Sequence, residues 1–380
     1  MLTSESNLRE YNFIKSTSYK NIFIIIVTMS LWDEPHRGRH HYAIALSKRH
    51  NVLWVNRRLN LNEAGHAREG LEKISKNLTV LHTGRSALFE RIDHRLNWNN
   101  VIRLRLLRKV LSILGEPDIL WIYDYKSIMF AERYREKATI FYFCNDYFGE
   151  YAYKHYESKL SKKVDCVFAT APKLVDRLKI YNPKCTFMPH GVWLPDKKPE
   201  FRKKEKPETA GFVGTLGDGV DIGFFCKILE ETDMRLILAG PIVECSQTHR
   251  NKFETLFRHP RVDYLGNLDR SEAQGIISNL DVCLLAYASD HEQSGYRFVL
   301  KYFDYLAAGR PIIATSYFEW PEPYAEFVSV FDGEYNLNKF IMSVYENWNY
   351  EQFERAVQFA NRNTWDKRLR DIAEIIGIDL

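Results

Sequence analysis

Residues 294–315 read Ser-Gly-Tyr-Arg-Phe-Val-Leu-Lys-Tyr-Phe-Asp-Tyr-Leu-Ala-Ala-Gly-Arg-Pro-Ile-Ile-Ala-Thr. The pattern predicts a helix that starts near Phe298 and ends at Gly309, between two buried strands. Free N–H groups and the helix dipole favour anions at a helix N-terminus, so this segment predicts a phosphate site. Lys301 and Asp304 are three residues apart and share one helix face. Lys301 is therefore a candidate to reach a diphosphate, and Asp304 a candidate to accept hydrogen bonds from ribose hydroxyls.

Strands and helices alternate throughout the chain, which is typical of parallel sheets covered on both faces. A charged, proline-containing stretch at residues 193–209 interrupts the alternation and predicts a linker. The sequence therefore predicts an α/β protein of two doubly wound, Rossmann-like domains that face each other across a cleft, with ligands at the carboxyl ends of the strands. The predicted strands are 22–27, 51–55, 119–123, 139–144, 165–169 and 186–188 in the first half, then 210–213, 234–239, 262–265, 282–286 and 311–315.

Composition narrows the class of protein further. Hydrophobic residues make up 45% and charged residues 27% of the 380 residues, which excludes a disordered or collagen-like chain. The six cysteines are scattered without a C-x-x-C pair, which argues against a zinc site and favours a reducing compartment. No apolar run approaches roughly 18 residues, so we expect a cytoplasmic protein without a spanning helix.

The charge is divided unevenly along the chain. Residues 1–190 have 31 basic and 19 acidic side chains, whereas residues 191–380 have 22 and 30. Two halves of opposite sign predict two domains with different partners.

Several segments, in chain order, resemble the signature segments of glycosyltransferases with the GT-B fold. Residues 305–315 resemble the C-terminal signature of that family. Val213-Gly-Thr-Leu resembles the glycine-rich turn after the first strand of its donor-binding domain, and Leu236-Ile-Leu-Ala-Gly-Pro resembles the next strand. Val262-Asp-Tyr-Leu-Gly resembles the strand end that frames the nucleotide base. The resemblance implies that a nucleotide-sugar donor binds through Gly214, Thr215, Tyr264, Leu265, Lys301 and Asp304.

Two further segments extend the resemblance over residues 20–375. Met188-Pro-His-Gly-Val resembles the element at the domain junction, with His190 in place of the usual Asn. Trp365-Asp-Lys-Arg resembles the start of the final helix, which crosses back to the first domain. The implied organisation is a polar arm at 1–19, an acceptor-binding domain at 20–192, the linker at 193–209, a donor-binding domain at 210–364 and a C-terminal helix at 365–380.

The resemblance to one branch of the family implies which residue is catalytic. Many retaining members have two glutamates separated by seven residues, but here Tyr296 occupies the first position and Asp304 the second. A lysine three residues before the acidic position is instead similar to the teichuronic-acid and xanthan glucuronosyltransferase branch, which includes an inverting enzyme. The resemblance of residues 141–150 to that branch implies that Asp146 is the general base; the alternative is a turn residue or helix cap. No D-x-D motif is present, so we expect neither a metal nor another cofactor.

Two polar segments of the first half are candidates for contacts beyond the donor. The loop after the first strand is a candidate acceptor site through Asp33, His36, Arg37 and Arg39, although it has the composition of an ordinary solvated loop. Residues 91–109 have six basic and one acidic side chain among leucines at helical spacing, which favours an anionic membrane surface over nucleic acid. A solvated helix packed on the sheet is the alternative. The membrane-facing candidates are Arg103, Arg105, Arg108 and Lys109, with Leu104, Leu106, Leu107 and Leu111 as the apolar face.

Together with the resemblance, these features imply a glycosyltransferase that moves a hexosyl or glucuronosyl group from a UDP-type nucleotide sugar to a saccharide acceptor, which we expect to be lipid-linked. Its place would be bacterial surface polysaccharide synthesis at the inner face of the cell membrane, with inversion at the transferred carbon. Two alternatives stay open. One is a non-hydrolysing nucleotide-sugar epimerase of the same fold, which needs no acceptor; the other is a degenerate homologue that only binds a membrane or a partner.

Overall fold

The computed structural model describes residues 21–243 and 245–380, so the polar arm predicted at 1–19 lies outside the described residues. The described chain forms two compact units. The first extends to Pro189 and takes in Arg368–Leu380, and the second is His190–Lys367. Each unit is built around one sheet.

The first unit has an eight-stranded sheet with helices between its strands. Its strands are β1 (Phe23–Val27), β2 (Asn51–Val55), β3 (Glu69–Ser75), β4 (Leu78–Thr83), β5 (Ile119–Ile122), β6 (Thr139–Cys144), β7 (Cys166–Ala169) and β8 (Cys185–Phe187). Its helices are α1 (Gly38–Ser47), α2 (Glu90–Leu96), α3 (Trp98–Leu114), α4 (Ile128–Tyr134), α5 (Gly149–Ala152), α6 (Ser158–Ser161) and α7 (Pro172–Lys179). A π-helical segment, Tyr153–Glu157, joins α5 to α6.

The strand order β3-β4-β2-β1-β5-β6-β7-β8 places β1 at the centre of this sheet. From β1 the chain adds β2 and then β4 on one side of the sheet. It then adds β5 to β8 in order on the other side of β1. The loops after β1 and β5 therefore diverge, and they leave a crevice at the carboxyl ends of these two strands, the usual ligand position in such sheets. All pairs are parallel except β3 with β4, which form an antiparallel edge.

Arg103, on α3, ties the carboxyl ends of three strands together. Its side chain is 2% exposed and forms an ion pair with Asp124, which follows β5. A buried arginine is stable only when its donors are satisfied. The guanidinium donates to Asp124 Oδ2 (2.6 Å), Asn100 Oδ1 (2.6 Å), Thr28 O (2.6 Å), Asn56 O (3.0 Å) and Val55 O (3.2 Å).

This position corrects the sequence-based prediction that Arg103 faces a membrane. The face of α3 that contains Arg103 packs on the sheet, because Leu107 and Leu111 on the same face are also buried. The prediction that these two leucines form an apolar membrane face is therefore wrong as well. Arg105, Arg108 and Lys109 are exposed.

The second unit has a six-stranded, entirely parallel sheet in the order β11-β10-β9-β12-β13-β14. The strands are β9 (Thr209–Val213), β10 (Arg235–Ala239), β11 (Val262–Tyr264), β12 (Val282–Leu285), β13 (Ile312–Thr315) and β14 (Val328–Phe331). The helices are α8 (Ile222–Glu231), α9 (Gln247–Phe257), α10 (Arg270–Asn279), α11 (Lys301–Ala307), α12 (Leu337–Asn347) and α13 (Tyr350–Asn361). The last helix, α14 (Trp365–Ile376), begins in the second unit, and its residues from Arg368 onward belong to the first. The chain reverses direction across the sheet between β9 and β12, which defines a second crevice.

The two doubly wound sheets predicted from the sequence are confirmed, with local differences. The hairpin of β3 and β4 was not predicted, because β3 is exposed and largely polar, unlike a buried strand. Helix α11 begins at Lys301 rather than near Phe298. The Phe298 ring instead packs in an aromatic cluster with Tyr302 and Trp320, and the backbone before Leu300 is not helical.

We predict that Arg103→Ala destabilises the first unit by about 3–5 kcal/mol, because it leaves the Asp124 carboxylate buried without its partner. The matched variant Arg105→Ala, on the exposed face of the same helix, should change stability by less than about 0.5 kcal/mol. Differential scanning calorimetry measures both effects. Equal unfolding temperatures for the two variants would contradict the structural role of Arg103.

Candidate donor and acceptor sites

The crevice of the second unit is held open by one tyrosine of the sequence Tyr305-Leu-Ala-Ala-Gly. Strands β9 and β12 pair only at their start, where Ala210 lies opposite Val282 and Gly211 opposite Cys283. Beyond that point the buried Tyr305 hydroxyl accepts a hydrogen bond from Val213 N (3.0 Å) and donates to Leu284 O (3.3 Å). The hydroxyl therefore satisfies both strand ends while keeping them apart.

The Lys301 side chain is buried at the opening that this separation creates. It is 9% exposed, and its Nζ lies 3.4 Å from the centroid of the Phe212 ring and 5.1 Å from that of Tyr287. Among the described residues no carboxylate is close enough to form a salt bridge with Lys301. Burial lowers the pKa of Lys301 well below its usual value; Arg297 lowers it further and Asp304 opposes the shift. An amine in this state favours an anionic ligand, which would restore its charged form.

Gly214 allows Lys301 to occupy this position. Its φ of +146° is unfavourable for residues with a side chain, and an added Cβ would lie 2.6 Å from Lys301 Nζ. Two of the predicted donor residues are therefore in direct proximity, and the glycine is required by the amine beside it.

Arg297 is a second cation at this crevice that the sequence analysis did not select. Its guanidinium lies 5.8 Å from the Tyr287 ring centroid, and an added Cβ at Gly219 would be 2.5 Å from its Nη1. Its charge acts on Lys301. The only sequence signal was its spacing of four residues before Lys301, and that signal fails because α11 starts too late to place both on one helix. Two cations that influence each other make this crevice a candidate anion site, of the kind that a diphosphate would fit.

Asp304 is half-buried on α11, within electrostatic reach of Lys301 and of Arg270. Burial raises the pKa of Asp304 to about 6, although Arg270 and Lys301 both lower it. No hydrogen bond to its carboxylate is formed by any residue that the structure describes. The carboxylate is therefore available to accept hydrogen bonds from a ligand hydroxyl pair.

The other predicted donor residues lie at the same edge of the sheet. Thr215 is exposed next to Gly214, and Leu265 is 39% exposed directly after β11. The Tyr264 hydroxyl donates to Gly240 O (3.0 Å), and its ring stacks on Phe257 at 4.1 Å. These contacts fix Tyr264 as a wall of the crevice rather than as a free hydrogen-bonding group.

A cavity of about 450 Å³ in the second unit lies elsewhere. It is bounded by linker residues from Pro195 to Arg202 and by one side of α10, and none of the predicted donor residues lines it. This cavity is therefore separate from the predicted donor site.

In the first unit, Asp146 follows β6 at the carboxyl edge of the sheet. The loop that carries it is fixed by its backbone: Cys144 Sγ contacts Asp146 O (3.4 Å), and Thr170 Oγ1 donates to Asn145 O (2.9 Å). The Asp146 carboxylate is half-buried and receives no hydrogen bond within the described part of the chain. It is positioned by the loop and left available, as a general base requires.

Glu157, which the sequence analysis did not select, is a buried carboxyl group that contacts Cys144 at the start of this loop. Glu157, at the end of the π-helical segment, is 3% exposed and accepts a hydrogen bond from the Tyr142 hydroxyl (2.7 Å) and a contact from Cys144 Sγ (3.4 Å). Burial raises the pKa of Glu157, and the hydrogen bonds from Tyr142 and Cys144 lower it. π-helical segments often occur at functional sites. A single glutamate in a tyrosine-rich stretch, however, does not indicate from sequence that it will be buried against Tyr142.

The four predicted acceptor residues have different environments. Asp33 is exposed and pairs with Arg68, and His36 and Arg37 are also exposed. Only Arg39 is buried, at 3% exposure, and the charge of Asp146 acts on it. The structure therefore brings Arg39 and Asp146 to one place and leaves the other three at the loop surface.

His40 explains why this loop is ordered. Its Nδ1 accepts a hydrogen bond from Arg37 N (3.1 Å), so the proton is on Nε2, which donates to Leu31 O (3.1 Å). Burial lowers the pKa of His40 to about 3, so the ring stays neutral. His40 is a structural residue that holds the backbone around Arg39.

Structural comparisons identify the architecture that these two crevices belong to. The chain matches the UDP-forming alpha,alpha-trehalose-phosphate synthase of Burkholderia vietnamiensis with a TM-score of 0.66 at 13% identity, over 94% of this chain and 98% of that one. It matches HepE of Anabaena, solved in complex with UDP-glucose, with a TM-score of 0.64 at 13% identity, over 94% of this chain and 100% of that one. The chain therefore has the GT-B fold, as the resemblance implied.

A relative in sequence points to the same branch. A Bacillus subtilis (strain 168) protein, provisionally named as the teichuronic acid biosynthesis glycosyltransferase TuaH, is 25% identical over 181 residues. The match covers 44% of this chain and 43% of the relative, so it spans less than half of either protein. No protein-family model matches the chain. The resemblance to GT-B glycosyltransferases and to their teichuronic-acid branch is confirmed.

Two further observations bear on cofactors and membranes. No helix in the described ranges is both long and apolar enough to cross a bilayer. Within those ranges, no three His, Cys, Asp or Glu side chains are grouped so that they could hold a metal ion.

We predict that Lys301→Met stabilises the second unit by about 1–4 kcal/mol, because it replaces an unpaired buried amine with an apolar chain of similar length. The same variant should weaken nucleoside diphosphate binding about 10–150-fold, which corresponds to the loss of about 1.5–3 kcal/mol of charge-assisted contact. Calorimetry measures stability and titration calorimetry measures affinity. The exposed Lys339→Met should change neither, and a destabilised Lys301→Met with normal affinity would refute the donor role.

Asp304 predicts how donor binding depends on pH. Burial raises the pKa of Asp304 to about 6, above its value of about 4 in the unfolded chain, so the free unit loses stability as the pH rises through this range. The ionised carboxylate, which is the form that accepts hydrogen bonds from ribose hydroxyls, becomes populated as the pH rises through about 6. Affinity for a nucleoside diphosphate should therefore fall about tenfold more between pH 7.5 and pH 5 in the native protein than in Asp304→Asn. The variant controls for titration of the ligand. Parallel pH profiles would exclude Asp304 from donor binding.

Proposed function

We propose that the protein is a glycosyltransferase that takes a sugar from a nucleoside diphosphate donor bound in the crevice of the second unit. The observation that carries this proposal is the buried Lys301 amine, which lies next to Gly214 and has no salt-bridge partner in the part of the chain that the structure describes. A diphosphate would supply the missing negative charge, and the ribose hydroxyls would donate to Asp304. Because the departing diphosphate gains negative charge during transfer, Lys301 and Arg297 would stabilise the transition state without a metal.

The similar proteins support a UDP-sugar donor and a polysaccharide product. HepE was solved in complex with UDP-glucose, and the name of the Bacillus relative refers to teichuronic acid biosynthesis. We therefore propose a UDP-linked hexose or uronic acid as the donor, and a lipid-linked saccharide of the bacterial cell envelope as the acceptor.

Asp146 would act as the general base of an inverting transfer. Its carboxylate accepts the proton of the acceptor hydroxyl while that oxygen attacks the anomeric carbon of the donor sugar. The bond from this carbon to the diphosphate oxygen breaks on the opposite side, and the diphosphate leaves with the electron pair. A single displacement of this kind reverses the anomeric configuration.

Thermal-shift screening with UDP-, GDP-, dTDP- and CMP-linked sugars tests the donor class. A saturating ligand at about 100 times its dissociation constant adds about 2.7 kcal/mol of stability. Each sugar that binds is then incubated with saccharide acceptors, and NMR follows the anomeric configuration of the product. An epimer formed from donor alone would instead indicate the epimerase alternative, and absence of any donor binding would indicate the non-catalytic one.

In the same assay, we predict that Asp146→Asn slows transfer about 10²–10⁴-fold, because the amide cannot accept the proton. Donor affinity should stay within about twofold, since Asp146 belongs to the first unit and the donor residues to the second. A product with the anomeric configuration of the donor would refute the base assignment and favour a retaining mechanism.

We propose in addition that the first unit associates with an anionic membrane, through α2 rather than through the face of α3 that was predicted. Phe89, Ile92, Leu96 and Trp98, on and around α2, are 41–62% exposed. The Arg105 guanidinium lies 5.9 Å from the Trp98 ring centroid, so a basic group flanks this apolar cluster. Exposed aromatic and basic side chains together favour the interface of an anionic bilayer. This surface would place the protein at the inner face of the cell membrane.

The membrane proposal predicts salt-sensitive sedimentation with anionic vesicles. Screening shortens the Debye length from about 30 Å at 0.01 M salt to about 8 Å at 0.15 M, so binding should weaken over this range. Arg105→Glu/Arg108→Glu should abolish sedimentation, because each basic residue near the surface contributes about 1 kcal/mol. The control Lys73→Glu/Lys76→Glu makes the same charge change on the exposed edge of the sheet and should still sediment. Equal loss in both double variants, or equal binding to neutral vesicles, would refute this surface.

A further inference from the structure

Arg39 is a buried arginine that has no hydrogen-bond or salt-bridge partner for its side chain among the described residues. It lies on the first turn of α1, is 3% exposed, and forms no hydrogen bond or salt bridge with any described residue; its Nε is buried and unsatisfied. The contrast with Arg103 in the same unit is clear, because that equally buried guanidinium forms five hydrogen bonds. Arginine is almost never fully buried unless it is paired. The native fold therefore maintains Arg39 with a buried donor that an anionic ligand would satisfy.

The groups around Arg39 do not supply that partner. The acidic side chain with the largest electrostatic effect on it is Asp146, but the two are not within salt-bridge distance. Glu34, the other nearby carboxylate, is engaged by Leu31 N (3.1 Å) and by Arg57 (3.2 Å). His40 is neutral and uses both ring nitrogens on the backbone. Arg39 and Asp146 therefore share one crevice while neither neutralises the other.

We propose that Arg39 binds an anionic oxygen group, a carboxylate or a phosphate, on the acceptor. The inference rests on the proposed function and specifies its acceptor class. A planar guanidinium binds either anion through two parallel hydrogen bonds, which would fix the orientation of the acceptor as well as its position. The excess of basic residues in the first half of the chain is in accord with an acidic acceptor.

The charge of Asp146 acts on Arg39, so an acceptor held by Arg39 would lie beside that carboxylate. Arg39 would thus select the acceptor and help to position its hydroxyl for the base.

Binding of small probes tests the proposal without requiring transfer. Titration calorimetry is carried out on the full chain in the Lys301→Met background, so that the donor crevice does not contribute an anion site. The probes are methyl glucuronide, phenyl phosphate and the neutral methyl glucoside. We expect at least one anionic probe to bind at least tenfold more tightly than methyl glucoside. Preference for the glucuronide would assign a uronic acid of the saccharide, and preference for the phosphate would assign the phosphate of a lipid carrier.

Variants of Arg39 make the test specific. Arg39→Met should lose the preference for anions, and Arg39→Lys should retain the charge but lose several-fold in affinity because the two-pronged contact is gone. Arg135→Met, an exposed arginine of the same unit, should bind as the background protein does. Unchanged anion binding in Arg39→Met, or no preference for either anion in the background protein, would overturn the proposal. If Arg39→Met does not fold, the Arg39→Lys comparison decides. Anion binding that depends on Arg39 in a protein that transfers no sugar would refute the proposed function and leave this site standing.

Discussion

The buried Lys301 amine is the constraint on which the crevice of the second unit depends. An amine placed 3.4 Å from an aromatic centroid, with no carboxylate in salt-bridge distance among the described residues, is unfavourable in the free protein. The surrounding structure makes this position possible: Tyr305 bonds to both separated strand ends, and Gly214 leaves the volume that a side chain would occupy. Parallel sheets bind ligands where neighbouring strands diverge. Here that place is formed by the Tyr305 hydroxyl, by the absence of a Cβ at Gly214 and by the Lys301 amine.

In the first unit, the buried cation Arg103 has a structural role, and the cost of burying its charge is offset by hydrogen bonds. Arg103 satisfies its donors with three strand-end carbonyls and with Asp124, and so fixes the carboxyl edge of the sheet. Arg39, equally buried, has no such partners. Burial alone therefore does not distinguish a functional cation from a structural one, whereas the state of its hydrogen bonds does.

The sequence was sufficient to predict the two sheets, because short apolar runs between helices are decided by local pattern. It also placed Lys301 and Asp304 on one helix, as α11 has them, and their role in donor binding stays a prediction. The sequence-based prediction was wrong where the burial of a side chain depends on tertiary packing. Arg103 and Arg105 are two residues apart in a basic stretch, yet one is 2% exposed and the other is on the surface. Arg297 precedes Lys301 by four residues, but α11 begins too late for that spacing to place both on one helix face. Glu157 meets Tyr142 fifteen residues away, so no local pattern marks it.

In each crevice, within the described ranges, a buried cation is influenced by a carboxylate with which it forms no salt bridge: Lys301 by Asp304, and Arg39 by Asp146. A direct ion pair in either place would stabilise the free protein and remove the site. Keeping the charges apart means that an anionic ligand recovers the interaction that the fold lacks, whereas a neutral ligand of the same shape leaves the cation buried and unsatisfied. A site built in this way discriminates by the cost of leaving a polar group unpaired, which is the strongest form of selection available to a small pocket. The selectivity of both crevices should therefore depend first on ligand charge and only then on the identity of the sugar.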